Sequence, residues 1–126
     1  MATVRDVMSA AIVTVEPGTS VAEAATVMGT NHVGSALVME GDALIGIFTE
    51  RDVMRAVASD FDAAHHTVSE FMTREPATVE PAVGVREALD TMLEHGFRHL
   101  PVMYGDRVAG VVSMRDLTAS LERERG

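Results

Sequence analysis

Two stretches of the chain carry apolar residues at the spacing of an amphipathic helix. In each stretch the apolar positions follow the pattern i, i+3, i+4, i+7, which places them on one helix face. They are Val21, Ala24, Ala25 and Met28 in the first stretch, and Val85, Ala88, Leu89 and Met92 in the second. Ser20 and Glu23 form a capping-box pattern at the first start, whereas the second has Gly84 and keeps only Glu87. We therefore predict two helices, of which the second begins less firmly.

Continuous apolar runs predict two β-hairpins, each with a Gly-Asp pair at its turn. The runs are Ala36–Met39 and Leu44–Phe48 around Gly41-Asp42, and Leu100–Met103 and Val108–Val112 around Gly105-Asp106. A short strand at about Ile12–Val15 comes before the first helix, and further helices at about Glu50–Ala58 and Met114–Leu121 follow the hairpins. The pattern in each half therefore predicts the order strand, helix, strand, strand, helix. We expect an α+β (α/β-like) fold class.

The two halves are copies of one unit, because the chain matches itself at an offset of 64 residues. The match begins with Thr3 against Thr67 and continues without a gap to the end of the second copy. The longest unbroken match sets Thr14-Val15-Glu16-Pro17 against Thr78-Val79-Glu80-Pro81. The predicted division is a first repeat at 1–59, a linker at 60–67, a second repeat at 68–121 and a charged, solvated tail at 122–126. A unit of roughly 60 residues is marginal alone. We therefore expect the repeats to pack with pseudo-twofold symmetry, leaving clefts between them.

Composition narrows the classes of function. The chain is 47% hydrophobic and 23% charged, which is typical of a globular protein. From the length of 126 residues we expect one domain and no attached catalytic domain. A formal net charge of −9 and few aromatic residues argue against nucleic acid as a partner. All ten basic residues are arginine and there is no cysteine, which excludes lysine and cysteine nucleophiles and thiolate metal sites. We find no signal peptide or membrane anchor, so we expect a cytoplasmic location and no membrane partner.

Candidate chemistry lies where each hairpin ends. Gly46–Asp52 and Gly110–Asp116 each place a hydroxyl and a carboxylate three residues apart at the start of a predicted helix. One interpretation is purely structural, with Thr49 and Ser113 as N-caps and the carboxylates completing capping boxes. The other is a binding site, in which the helix N-terminus and the hydroxyl hold a phosphate and the carboxylate accepts from ribose hydroxyls. The glycine before the motif allows either a backbone segment or a flat base to approach closely.

Duplicated units that each end in Gly-hydrophobic-x-Thr/Ser-x-x-Asp resemble a tandem pair of cystathionine-β-synthase (CBS) domains, the Bateman module. Met8 and Met72 at the end of each lead-in segment and the His99-Leu100-Pro101-Val102 sequence are also similar to that family. The resemblance implies clefts that bind adenosine-containing ligands such as AMP, ADP or ATP and report them to a partner protein. It implies no catalytic residues, and the adenine nucleotide would be a regulatory ligand, with no obligatory cofactor.

The resemblance also implies roles for individual residues. Asp52 and Asp116 would hold ribose hydroxyls, Thr49 and Ser113 would face ribose or phosphate, and Ile47 and Val111 would flank the base. Ala11, Ile12 and Pro76, with Glu75, would offer backbone contacts to the base. Arg98 and His99 would supply positive charge to phosphates, whereas their counterparts Gly34 and Ser35 carry none. This difference suggests that one site prefers a phosphorylated ligand and that the other is weak or empty; the alternative is two equivalent sites.

Other chemistry has less support in the sequence. Asp60, Asp62, His65 and His66 in the linker are able to ligate a metal if the loop curls, but a solvated acidic loop is the simpler interpretation, and we predict no metal site. No Gly-x-Ser-x-Gly or His-Glu-x-x-His sequence occurs, so we predict that the protein is not an enzyme.

Two hypotheses for function stay open. The first is a regulatory module that signals nucleotide binding to an effector protein of unknown identity. The second is a ligand-free scaffold for dimerisation or protein interaction. In either case we expect a homodimer, because Val53, Met54 and Val57 offer more apolar surface than one helix stripe needs.

Overall fold

The computed structural model describes residues 1–59 and 62–125 and shows a mixed fold of helices and strands in two repeats, which confirms the predicted class. The helices are α1 (Val4–Val7), α2 (Val21–Thr30), α3 (Glu50–Ser59), α4 (Val68–Phe71), α5 (Val85–His95) and α6 (Met114–Arg125). The strands are β1 (Thr14–Val15), β2 (Ser35–Glu40), β3 (Ala43–Thr49), β4 (Thr73–Arg74), β5 (His99–Tyr104) and β6 (Arg107–Ser113).

The chain forms two compact units that do not follow the order of the sequence repeats. The contiguous unit is Val13–Pro76, and the discontinuous unit combines Met1–Ile12 with Ala77–Gly126. The segment that leads into each repeat, 1–12 or 65–76, therefore packs with the body of the other repeat. A division by sequence similarity and a division by packing differ in where these two lead-in segments belong.

The contiguous unit is built on a four-stranded sheet in the order β1-β2-β3-β4. β1 is parallel to β2, and the other two strand pairs are antiparallel. The predicted hairpin turn is present, with Gly41 at φ 61°, a conformation that glycine adopts without strain. The helices α2 and α3 cover the sheet, and the α2 stripe of Val21, Ala24 and Met28 is buried in the core as predicted.

The discontinuous unit repeats this arrangement with less regular edges. β5 and β6 form the hairpin, and single bridges replace the outer strands, with Val79 parallel to Val102 and Ser9 antiparallel to Val111. The α5 stripe is buried with β5 and β6. Gly84 offers no side-chain cap to α5, whereas the Ser20 hydroxyl accepts from the Glu23 N–H at 3.0 Å at the start of α2. The two helix starts therefore differ as predicted.

The lead-in segments contain two short helices, α1 and α4, that the hydrophobic pattern does not predict. Four residues make one turn, which is too short for a helical period to be visible. Their signal is a capping box, Thr3 with Asp6 and Thr67 with Glu70, again 64 residues apart. Backbone hydrogen bonds from Thr3 and Thr67 lower the pKa of Asp6 and of Glu70 below their ordinary values.

The predicted tail and linker both contain described structure. Residues Glu122 to Arg125 of the predicted tail extend α6 and are exposed, as expected for a solvated segment, and Gly126 lies outside the described residues. In the linker, the Ala63 and His66 carbonyls accept from Ala22 and Val21 at the start of α2, because the backbone there has free N–H groups. Asp60, at the start of the predicted linker, lies outside the described residues. None of the helices in the described ranges is long and apolar enough to cross a membrane.

A close backbone approach holds each lead-in segment on its hairpin. A Cβ atom placed on Gly110 would lie 2.5 Å from the Ser9 carbonyl oxygen, and one on Gly46 would lie 2.9 Å from that of Thr73. These two glycines therefore allow a neighbouring backbone to pair with the second hairpin strand. The sequence allowed either a backbone segment or a flat base beside these glycines, and the structure shows a backbone segment there.

Replacement of Gly110 by alanine is expected to lower the free energy of unfolding by about 1–3 kcal/mol, because the added methyl group overlaps the backbone at Ser9. Gly29→Ala is the matched control, since Gly29 is helical and nothing lies within 4 Å of its Cβ position. That change should be neutral or stabilising by up to about 1 kcal/mol. Urea denaturation measures both, and equal midpoints for the two variants would contradict this account of the glycine.

Candidate ligand-binding motifs

In the contiguous unit, Thr49 and Asp52 interact at the junction of β3 and α3. The Thr49 N–H donates to Asp52 Oδ2 at 2.9 Å, and the Thr49 hydroxyl donates to the same oxygen at 3.2 Å. Asp52 is only 5% exposed. The Asp52 carboxylate therefore caps the Thr49 N–H, which is one half of the expected capping box. The Thr49 hydroxyl donates to the same carboxylate and caps no backbone N–H among the described residues of the helix.

The second oxygen of Asp52 has a partner that the motif does not include. Arg55 Nη1 donates to Asp52 Oδ1 at 3.1 Å, one helical turn further along α3. Both carboxylate oxygens are therefore engaged by the protein itself. An arginine three residues after an aspartate on a predicted helix is the signal that would have revealed this pair.

In the discontinuous unit, Ser113 and Asp116 form a complete capping box at the start of α6. The Ser113 N–H donates to Asp116 Oδ2 at 3.1 Å, and the Asp116 N–H donates to the Ser113 hydroxyl at 3.1 Å. Asp116 is partly exposed. Within the described part of the chain, no group donates a hydrogen bond to its Oδ1. One carboxylate oxygen of this motif is thus available to a ligand.

Arg98 and His99 lie beside the second motif. His99 pairs with Ser113 across the hairpin, and the Arg98 carbonyl accepts from the Met114 N–H at 2.8 Å. Arg98 is exposed and His99 is half-buried. The corresponding residues of the contiguous unit, Gly34 and Ser35, sit at the same register beside Thr49 and Glu50. Arg98 and His99 therefore have no basic counterpart at the equivalent positions of the contiguous unit.

The lead-in segments bring the remaining predicted residues to the motif of the other repeat. Val111 pairs with Ser9 in a single bridge, and Ala11 and Ile12 follow shortly after Ser9 in the chain. Ile47 pairs with Thr73, and Pro76 follows the strand that borders β3. The sequence did not show this exchange of segments, nor the part that Ser9 and Thr73 play as the pairing residues.

The two flanking apolar residues differ in exposure. Ile47 is 4% exposed, whereas Val111 is half-buried. Glu75, between Arg74 and Pro76, has φ 47°, a left-handed conformation that is uncommon for a residue with a side chain. Its counterpart Ala11 is not among the described non-glycine residues with positive φ. The segments beside the two motifs therefore differ in backbone conformation, at Glu75 and Ala11, as well as in the charge at Arg98 and Gly34.

The chemistry that these groups offer is recognition. Each motif contains a hydroxyl, a carboxylate and backbone N–H groups, which are the kinds of group that bind the hydroxyls and phosphates of a nucleotide. Both oxygens of Asp52 already have protein partners, whereas Asp116 Oδ1 has none among the described residues. The Asp62 carboxylate and the His65 ring are in contact in the predicted linker. Among the residues that the structure describes, no three His, Asp or Glu side chains gather in a way that would hold a metal ion.

Comparison with known proteins identifies the repeated unit. The family model of the CBS domain matches residues 4–59 and 68–123. An uncharacterised 17.7 kDa protein of Acidianus ambivalens is 37% identical over 121 residues, which cover 94% of this chain and 72% of that protein. The CBS domain-containing protein YhcV of Bacillus subtilis is 30% identical, over 95% of this chain and 86% of its own length.

Solved structures agree with the sequence match. The crystal structure of the CBS domain pair of protein MJ0100, in complex with 5′-methylthioadenosine and S-adenosyl-L-methionine, superimposes with a TM-score of 0.89 at 25% identity and covers 98% of each chain. Proteins with paired CBS domains are generally regulatory and non-catalytic. The matched family model and the two repeats of the fold together show that the chain belongs to the CBS-domain family and contains two CBS domains in tandem.

Proposed function

We propose that this chain is a non-catalytic regulatory module that binds an adenosine-containing ligand of the AMP, ADP or ATP type and signals its presence to an effector protein. The ligand is regulatory, and the module needs no cofactor. We propose neither nucleic acid nor a membrane as a partner. We propose that the protein acts in the cytoplasm, in keeping with its lack of cysteine.

The observation that carries the proposal is the available oxygen of Asp116. A carboxylate that serves only as a helix cap needs one oxygen, and Asp116 Oδ2 already accepts from the Ser113 N–H. The partly exposed Oδ1 is free, within the described residues, to accept from a ribose hydroxyl. A hydrogen bond to a charged acceptor contributes about 1.5–3 kcal/mol.

The charge around Asp116 supports a phosphorylated ligand. Arg98 lies at the start of β5, directly beside the N-terminus of α6. A guanidinium group binds phosphate in a bidentate manner, and the N–H groups of a helix start attract anions. Because the contiguous unit has Gly34 and Ser35 in these places, we propose that the Asp116 motif is the stronger nucleotide site and the Asp52 motif the weaker.

The solved neighbour supports the ligand class. The CBS domain pair of MJ0100 was crystallised with two adenosine derivatives, 5′-methylthioadenosine and S-adenosyl-L-methionine. The adenosine part is common to these compounds and to AMP, whereas the substituent on the ribose differs. We therefore propose adenosine as the shared element that this chain recognises, with Arg98 and His99 favouring a phosphate substituent.

Signalling requires two arrangements of the module with different affinities for the ligand. Ligand binding then favours one arrangement, and the shift cannot exceed the difference in binding free energy between them. The motif lies at the first turn of α6, so a ligand that contacts Asp116 also contacts the start of that helix. We propose that the effector protein senses the resulting change in packing.

The alternative function is a scaffold without a ligand, and the capping contacts favour it. Thr49 with Asp52 and Ser113 with Asp116 each stabilise a helix start without any bound molecule. On α3, Met54 is 73% exposed and Val57 is 38% exposed, whereas Val53 packs against the core. Exposed apolar residues of this kind are suited to contact with another protein.

We propose on the same grounds that the chain forms a homodimer. Sedimentation velocity at micromolar concentration is expected to give a particle of twice the 13.5 kDa chain mass. Met54→Glu should shift it toward the monomer, since the charge would be placed on an apolar contact, while Glu94→Gln on the exposed side of α5 should not. A single 13.5 kDa species would contradict the dimer.

The Asp116→Ala variant is expected to bind AMP about ten- to a hundredfold more weakly than the parent protein, since it loses a charged acceptor for ribose. Asp52→Ala should have a smaller effect, because both oxygens of Asp52 already have protein partners. Isothermal titration calorimetry measures the affinities. Asp106→Ala, which removes an exposed carboxylate from the hairpin turn of the same unit, is the control and should bind normally.

A purely structural role of the two aspartates predicts a different result for the same variants. Loss of a cap costs about 1 kcal/mol of folding stability and leaves nucleotide binding unchanged. If both aspartate variants fold and bind AMP as the parent does, the assignment of the site to these aspartates is wrong. If the parent binds no adenosine compound at millimolar concentration, the ligand function is wrong and the scaffold is favoured.

A further inference from the structure

We infer that Arg55 is a positioning residue that occupies Asp52 Oδ1 and so hinders ligand binding at the Asp52 motif. The two motifs of the duplicated chain would then differ in their affinity for the ligand. The inference rests on the proposed function, since it assigns the carboxylates the role of ribose acceptors. It identifies a residue outside the shared motif as the determinant of which copy binds.

The contacts of Asp52 show how the residue is occupied. Thr49 supplies two donors to Oδ2, at 2.9 and 3.2 Å, and Arg55 supplies one to Oδ1, at 3.1 Å. A ribose diol that approached this carboxylate would have to displace or share the Arg55 guanidinium. Asp116 has the equivalent donor at Oδ2 and, among the described residues, none at Oδ1.

Arg55 is held in place by the lead-in segment of the second repeat. Its Nη1 also lies 3.5 Å from the Phe71 carbonyl oxygen, and its guanidinium is 5.9 Å from the centre of the Phe71 ring. Such a cation–π contact adds modest stability at an exposed site. Phe71 in turn makes an edge contact with His66, at 5.8 Å between ring centres. Besides the carboxylate, Arg55 is therefore held by two weak contacts, both of them with Phe71.

The internal repeat provides a natural comparison. At the offset of 64 residues, Arg55 corresponds to Ala119 and Phe71 corresponds to Val7. The discontinuous unit thus lacks both the guanidinium and the aromatic ring that holds it, although it keeps the Ser113–Asp116 pair. Within one chain, the same motif occurs once with this clamp and once without it.

The size of the effect follows from exposure. The Arg55 side chain is 58% exposed, which weakens an ion pair by solvent screening, but the Asp52 side chain is only 7% exposed. Release of Asp52 Oδ1 should therefore strengthen ribose binding by about three- to tenfold, below the full value of a charged hydrogen bond.

The test measures adenosine affinity in the Asp116→Ala background, so that the Asp52 motif dominates the remaining binding. Adenosine carries the ribose diol without a phosphate, so loss of an arginine does not weaken it through charge. Addition of Arg55→Ala is expected to tighten adenosine binding about three- to tenfold. Arg123→Ala removes the same charge from an exposed position on α6, outside both motifs, and should change nothing. Arg55→Lys keeps a donor near Asp52 and should restore weak binding.

A reciprocal variant tests the clamp even if Arg55→Ala fails to fold. Ala119→Arg with Val7→Phe should weaken adenosine binding at the Asp116 motif, whereas Ala119→Gln with Val7→Phe, which adds bulk without charge, should weaken it less. Unchanged or weaker binding after Arg55→Ala, with the Asp116→Ala effect on AMP intact, would overturn this inference and leave the proposed function standing. Absence of any AMP binding by the parent protein would overturn both.

Discussion

The fold depends on a close backbone contact between each lead-in segment and the second strand of a hairpin. At Gly110 the Ser9 carbonyl oxygen occupies the space that a side chain would need, and at Gly46 the Thr73 carbonyl oxygen does the same. This contact completes each sheet with a segment from the other repeat and places α1 or α4 against the neighbouring core. Two similar sequence units therefore fold as two units with exchanged segments, one of them discontinuous along the chain.

The exchange determines which residues surround each candidate motif. Ala11 and Ile12, from the first lead-in segment, follow the Ser9 bridge to Val111 and lie in the same unit as Ser113 and Asp116. Phe71, from the second lead-in segment, contacts Arg55 and so acts on Asp52. Differences between the lead-in segments thus change the chemistry of motifs that are nearly identical in sequence. We propose that such differences, at Arg55 and Phe71, leave the Asp116 motif able to bind a ligand and occupy the Asp52 motif.

The sequence predicts the parts of this protein that depend on local periodicity. The stripes of α2 and α5 and the hairpins with glycine at positive φ are where the pattern places them. The helices α1 and α4 are too short to show a period, and the helical end of α6 carries too many charges to show an apolar stripe. Whether the capping aspartate keeps an oxygen without a donor depends on the residue three positions later, which is Arg55 in one motif and Ala119 in the other. These residues lie outside the motif, and only the helix geometry shows that they face the aspartate.

The central claim is that Asp116, in its capping box with Ser113, is also the acceptor for an adenosine ligand. Titration of ¹⁵N-labelled protein with AMP, followed by two-dimensional NMR, tests it residue by residue. The account predicts that the Ser113 and Asp116 amide signals shift first and by the largest amount, with Thr49 and Asp52 responding only at higher concentration. Signals of Ser113 and Asp116 that stay in place at millimolar AMP, or that move after those of Thr49 and Asp52, would contradict it.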